Sequence, residues 1–115
     1  MSSDIEVTFR PLEGHALPSY EDMKFFLDSA EYKNYDDFDI SEKSGFISIF
    51  DTKYPEAWSH LAWTLSQHFP NLEVEQIEEW DDEGPGGLGE VYIAGKLIRK
   101  GELAWKWEDL KLISE

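Results

Sequence analysis

Residues 45–75 read GFISIFDTKYPEAWSHLAWTLSQHFPNLEVE, and they hold the order strand, helix, strand. Gly45 to Phe50 is aromatic and β-branched, the composition of a strand. Its near-continuous apolarity predicts a central position, covered on most of both faces. Pro55 suits the first helical position, where its missing N–H has no intrahelical partner to lose. Trp58, Leu61, Ala62, Leu65 and Phe69 then recur at helical spacing, predicting a helix that Pro70 ends. From Asn71 the period changes to that of a strand: Leu72 and Val74 face one way, Glu73 and Glu75 the other. The alternation breaks across Gln76 to Glu79, which predicts a bulge or a strand end there.

Toward the N-terminus, Ile5 to Arg10 alternates apolar and polar residues, a half-buried strand closed by Pro11. Ser19 is placed to cap a helix, and Glu21 and Asp22 suit its first turn. Met23, Phe26, Leu27 and Ala30 form the apolar stripe of that helix, with Phe25 at its edge. A polar connection follows, in which Phe38 to Ile40 fits a short strand. Toward the C-terminus, Asp81 to Gly89 reads as a loop and Glu90 to Ile93 as a strand. Ala94-Gly95 reads as a tight turn, and Lys96 to Arg99 as the returning arm of a hairpin. After Gly101, Leu103, Trp105 and Trp107 alternate with Ala104 and Lys106 in another strand pattern, packing on the core or facing a partner. Asp109 to Glu115 suits a short helical tail.

Two helices interleaved with four or more strands predict an α+β chain. The expected architecture is a ferredoxin-like sandwich: a mainly antiparallel sheet, two helices on one face, and an extra C-terminal hairpin or strand. A length of 115 residues fits a single domain spanning 1–115.

The stretch from Phe50 to Leu97 resembles the YubB-type ferredoxin-like domain of phage and plasmid proteins. The matching residues are Phe50 and Thr52 before a helix, Pro55, Trp58, Ser66, Phe69-Pro70 and Leu72. Acids followed by glycines, and Gly95 in a late hairpin, extend the match. The resemblance covers the second half of the chain. It implies a ferredoxin-like fold and a mobile-element origin, and it implies no catalytic residues.

Charge sets the functional expectations. The formal net charge is -15. Such a field repels phosphate backbones and anionic membranes and attracts basic surfaces. Between Tyr54 and Gly95 there are nine carboxylates and no Lys or Arg. Glu73, Glu75, Glu78 and Glu79 lie on or just past the strand, and Asp81, Asp82 and Glu83 continue the cluster. Asp36, Asp37 and Asp39 form a second group. Alternate residues on a strand stand roughly 6.6 Å apart, twice the rise per residue, which resembles the spacing of successive phosphates. Glu73, Glu75, Glu79 and Asp81 therefore suit a row that mimics a nucleic-acid backbone, extended by Asp36, Asp37 and Asp39. The plainer reading is a solvated sheet edge kept charged against aggregation. Trp63, on the polar side of its helix, suits either packing against a neighbouring loop or anchoring a partner.

A second candidate is a cation site. Glu79, Asp81, Glu83, Gly84 and Glu90 fall at positions 1, 3, 5, 6 and 12 of the EF-hand pattern. Glu in place of Asp at the first and fifth positions, Pro85 after the turn and strand-like flanks all depart from it. Catalytic signatures are lacking: His15, His60 and His68 are dispersed, no GxSxG occurs, and Gly84 to Gly89 is no phosphate-binding loop. The chain has no cysteine, which excludes disulfides and thiol chemistry. Its opening segment carries no signal-peptide pattern. The expectation is a non-enzymatic, cytoplasmic binding protein without cofactors, an inhibitor of phage or plasmid origin. Its partner would be the basic, nucleic-acid-binding surface of a host protein, in the manner of an anti-CRISPR protein or a DNA mimic. The alternative is a divalent-cation module built on residues 79–90.

Overall fold

The computed structural model describes residues 2–32, 34–80, 86–105 and 110–114, with the backbone alone for 103–105 and 110–114. In chain order the elements are β1 (Ser3–Pro11), α1 (Tyr20–Ser29), β2 (Asp37–Ile40) and β3 (Gly45–Thr52). A 3-10 turn (Pro55–Trp58), α2 (Leu61–His68), β4 (Leu72–Trp80), β5 (Gly86–Ile93), β6 (Lys96–Trp105) and β7 (Leu110–Ser114) follow. They build one seven-stranded sheet in the order β2-β3-β1-β4-β5-β6-β7. Every pairing is antiparallel. The first four strands and the two helices run β-α-β-β-α-β, with β1 between β3 and β4. This α+β arrangement is compatible with a ferredoxin-like sandwich. Strands β5 to β7 extend the sheet as a meander beyond β4.

Periodicity decides which face is covered. Ile5, Val7 and Phe9 of β1 are buried, as are Ile47 and Ile49 of β3 and Leu72 and Val74 of β4. They form one cluster with Met23, Phe26 and Leu27 of α1 and with Trp58, Leu61, Ala62 and Leu65. Both helices therefore lie on the same face of the sheet, and among the described residues the opposite face carries no helix. Each fully buried aliphatic or aromatic side chain contributes about 1.5–3 kcal/mol relative to exposure, so this layer supplies most of the driving force. The Ser19 hydroxyl caps α1, accepting from the Asp22 N–H at 3.1 Å. Gly45 opposes Phe9 across β1 and β3, and the Phe9 ring occupies the space a Cβ at residue 45 would need.

Several sequence expectations need correction. The helix expected from Pro55 to Phe69 is interrupted. A 3-10 turn ends at Trp58 and α2 starts at Leu61. Gln76 bridges the break: its Nε2 donates to the Trp58 carbonyl at 2.8 Å, and its Oε1 accepts from the Ala62 N–H at 3.0 Å. This bridge also explains the broken alternation in β4. Gln76 is a buried polar residue on the helix side, and the strand runs on to Trp80 without a register shift. Strand β3 lies between β2 and β1, and in the phase alternating with Ile47 and Ile49 its Ser48 is buried and Phe46 half-buried, whereas Phe50 at its end is 57% exposed. Residues 86–89, expected in a loop, start β5. Lys96 to Trp105 is one strand, and Leu110 to Ser114 is a strand where a helical tail was expected.

Candidate protein-binding face

The face without helices carries the alternate phase of each strand, mostly polar in β1, β2 and β4, with Ser48 and Val91 on it buried. Strand register lines these residues into rows across the sheet. One row runs Asp39, Phe46, Thr8, Glu75, Val91, Arg99. The next runs Asp37, Ser48, Glu6, Ile77, Gly89. A third holds Asp4 opposite Glu79. Asp36 sits at the same end, its Oδ2 accepting from the Phe50 N–H at 2.6 Å. The Asp4 carboxylate accepts from the Asp51 N–H at 2.7 Å. Asp37 and Glu79, distant in sequence, thus share one face, with Asp36 at the same end. Strands β2 and β4 are three strand spacings apart, about 14 Å, with β1 and its Asp4 and Glu6 between them.

The far end of this face is different. Arg10 Nε stands 2.6 Å from Glu73 Oε2, and an Arg99 nitrogen 3.9 Å from a Glu75 oxygen. Glu73 and Glu75 are therefore paired with cations from β1 and β6, outside the base-free stretch. Glu73, Glu75 and Glu79 share this face of β4, with Ile77 between the last two, and Asp81 lies outside the described residues. Among the described residues no Lys or Arg pairs with Asp4, Glu6, Asp37 or Glu79. Burial, then the Asp4 charge, then the Glu6 charge hold the Glu79 carboxyl above its ordinary pKa. Partial burial penalises the charged form most, and the neighbouring acids add like-charge repulsion to it.

The remaining candidates fall elsewhere. Glu78 lies in register with Ile5, on the helix side, and accepts from the Ser3 hydroxyl at 3.0 Å. Asp81, Asp82 and Glu83 lie outside the described residues, as does Trp107. Trp63 packs against the β5–β6 turn, its indole N–H donating to the Gly95 carbonyl at 3.0 Å. It stays 41% exposed, with Leu97 beside it at 49%. The Gly95 N–H in turn donates to Ser66 Oγ at 3.0 Å, and Gly95 has φ 77°, a left-handed conformation suited to glycine.

Of the five EF-hand positions, Asp81, Glu83 and Gly84 lie outside the described residues, and the two described ones, Glu79 and Glu90, do not converge. Glu79 pairs with Gly87 on the uncovered face, whereas Glu90 pairs with Gln76 on the helix side. Carboxylates on opposite faces of a hairpin cannot close on one ion, and no cluster of three or more metal-ligating residues occurs among the described residues. The histidines share no site. His68 packs on Phe26 and Phe69, with ring centroids 4.8 and 4.7 Å apart, and His60 lies edge-on to Trp63 at 6.1 Å. No helix among the described residues is long and apolar enough to cross a membrane.

Asp4 and Glu6 are members of this acidic face that the sequence reading did not single out. Their signal was the polar phase of β1, but their significance depends on which strands flank β1. Comparison with family models, curated proteins and solved structures finds no match for the chain. What the fold and the face define is an α+β protein with one open, acid-rich sheet surface.

Proposed function

We propose that this protein is a non-enzymatic binding module of ferredoxin-like fold. The acid end of its open sheet face docks on the basic, nucleic-acid-binding surface of a partner protein. The observation that carries this reading is the gathering of Asp4, Glu6, Asp37 and Glu79 from three strands onto one face, with no Lys or Arg partner among the described residues. Such a surface attracts basic grooves at long range, and its attraction weakens as salt shortens the Debye length to about 10 Å at 0.1 M. The narrower form of the proposal is an inhibitor carried by a phage or plasmid and directed at a host nucleic-acid-binding complex, anti-CRISPR proteins among them. It rests on the resemblance of residues 50–97.

The test is binding to purified basic nucleic-acid-binding proteins of the native host at low and high salt. A complex that weakens with salt is expected. Joint substitution Asp4→Asn, Glu6→Gln, Asp37→Asn and Glu79→Gln should weaken it far more than Glu73→Gln with Glu75→Gln. Absence of any salt-dependent complex would overturn the reading, as would equal loss in both variants.

A further inference from the structure

Beside the acid end lies a cleft of about 390 Å³ between the end of β3, the 3-10 turn and the segment after α1. Its lining includes Tyr32, Phe50, Tyr54 and Trp58, together with the acidic residues Glu31 and Asp36. Phe50 is 57% and Tyr54 70% exposed, although both are large aromatic residues. Neither contributes to the core cluster. Tyr32 and Trp58 stack with ring centroids 5.7 Å apart and form the inner wall. Asp36 is fixed there by its hydrogen bond from the Phe50 backbone.

Aromatic faces beside carboxylates have one chemical preference in common. A ring face attracts a cation through its quadrupole, and a carboxylate supplies the opposite full charge. Glu31 and Asp36 outnumber Lys53, the exposed cation between Thr52 and Tyr54 in sequence, so the acids disfavour an anion, and a neutral apolar group would leave both carboxylates unused. A guanidinium fits better than an ammonium. It is planar, weakly hydrated and carries five donors, so it can lie on a ring and donate sideways to a carboxylate at once. The cleft also adjoins the acid face: Asp36 and Phe50 line it, and Asp51, next in sequence, bonds Asp4. A basic protein surface lying across that face would bring its side chains to the cleft.

We infer that this cleft receives an arginine side chain of the basic partner protein. The inference rests on the binding reading above and names the contact that gives it specificity. Steering comes from the acid end and anchoring from the aromatic cleft.

The experiment uses the full chain and two probes. The first is the tripeptide Gly-Arg-Gly, titrated while the assigned Trp58 indole N–H is followed by NMR, with the citrulline tripeptide as the uncharged isostere and Gly-Lys-Gly as the ammonium control. Saturable movement of Trp58 with the arginine peptide is expected, with much weaker responses to the other two. Phe50→Ala with Tyr54→Ala should lower the affinity about tenfold, the scale of losing two cation–π contacts. Both rings are exposed, so the fold should survive their loss, and unchanged thermal unfolding would verify it. An equal response to citrulline, or no saturable movement of Trp58, overturns the inference. The second probe is a basic host protein that forms the salt-sensitive complex. If it binds and the double variant binds it equally well, the cleft inference fails while the binding reading stands. If the arginine peptide binds the cleft but no basic protein forms a complex, the binding reading fails, and with it the assignment of the arginine to a protein partner.

Discussion

The Arg10 guanidinium stands 2.6 Å from the Glu73 carboxylate across the β1–β4 register. This contact decides the polarity of the uncovered face. Together with the longer Arg99–Glu75 contact it neutralises one end and leaves the excess charge at the other.

Arg10→Gln should therefore separate stability from binding. Arg10 is 59% exposed and Glu73 31%, and an ion pair that open to solvent is worth less than about 1 kcal/mol. Urea denaturation is expected to show a loss within that bound. Binding to a basic partner should strengthen at low salt, because Glu73 is released. Weaker binding would mean that Arg10 itself contacts the partner.

Gln76→Leu should cost about 2–4 kcal/mol, since it strands the Ala62 N–H and the Trp58 carbonyl, each costing about 1–3 kcal/mol when left unpaired, against some apolar gain. The denaturation midpoint measures this. Amide exchange at Ala62 should accelerate selectively. A change below about 0.5 kcal/mol would show that the bridge is dispensable.

Gly45→Ala tests the close approach of Phe9. An added methyl must displace a buried ring, and overpacking of this kind costs about 1–3 kcal/mol. Pairing the substitution with Phe9→Leu should recover part of the loss, a non-additivity that a double-mutant cycle reads directly.

Glu79 gives stability a pH dependence with a definite sign. Its carboxyl is held above its ordinary pKa by burial and by Asp4 and Glu6. The folded state thus binds this proton more tightly than the unfolded state. The cost is absent below the unfolded pKa, grows as pH rises through the window between the two values, and is complete above the folded one. Glu79→Gln should accordingly stabilise the protein at neutral pH, by less than about 1 kcal/mol for so solvated a site. The gain should fade as pH falls through the carboxylate range. Thermal unfolding across that range, with and without salt, provides the check.

Much of the fold was legible locally. The cap at Ser19, the stripe Met23-Phe26-Leu27 and the period-two strands β1 and β4 needed only neighbours in sequence, and each is where periodicity put it. The misreadings have a common cause, which is tertiary partners. The chain from Pro55 to His68 breaks because Gln76 satisfies the buried backbone groups left without helical partners at the break. The glycines at 86 and 87 continue a strand because β4 pairs with them. Residues 110–114 form a strand because β6 offers an edge, whatever their own preference.

The sequence by itself determined the α+β class, the two amphipathic helices and the excess of acid, because these follow from composition and from periods of 2 and 3.6 residues. Strand order was decided only by the tertiary structure, and with it the meaning of the charge. The stretch without Lys or Arg is not a surface without cations, since Arg10 and Arg99 reach Glu73 and Glu75 from neighbouring strands. Electrostatic energy depends on distance in space, and antiparallel pairing sets that distance. It placed Asp4 and Glu6, unremarkable in sequence, between the two acid groups.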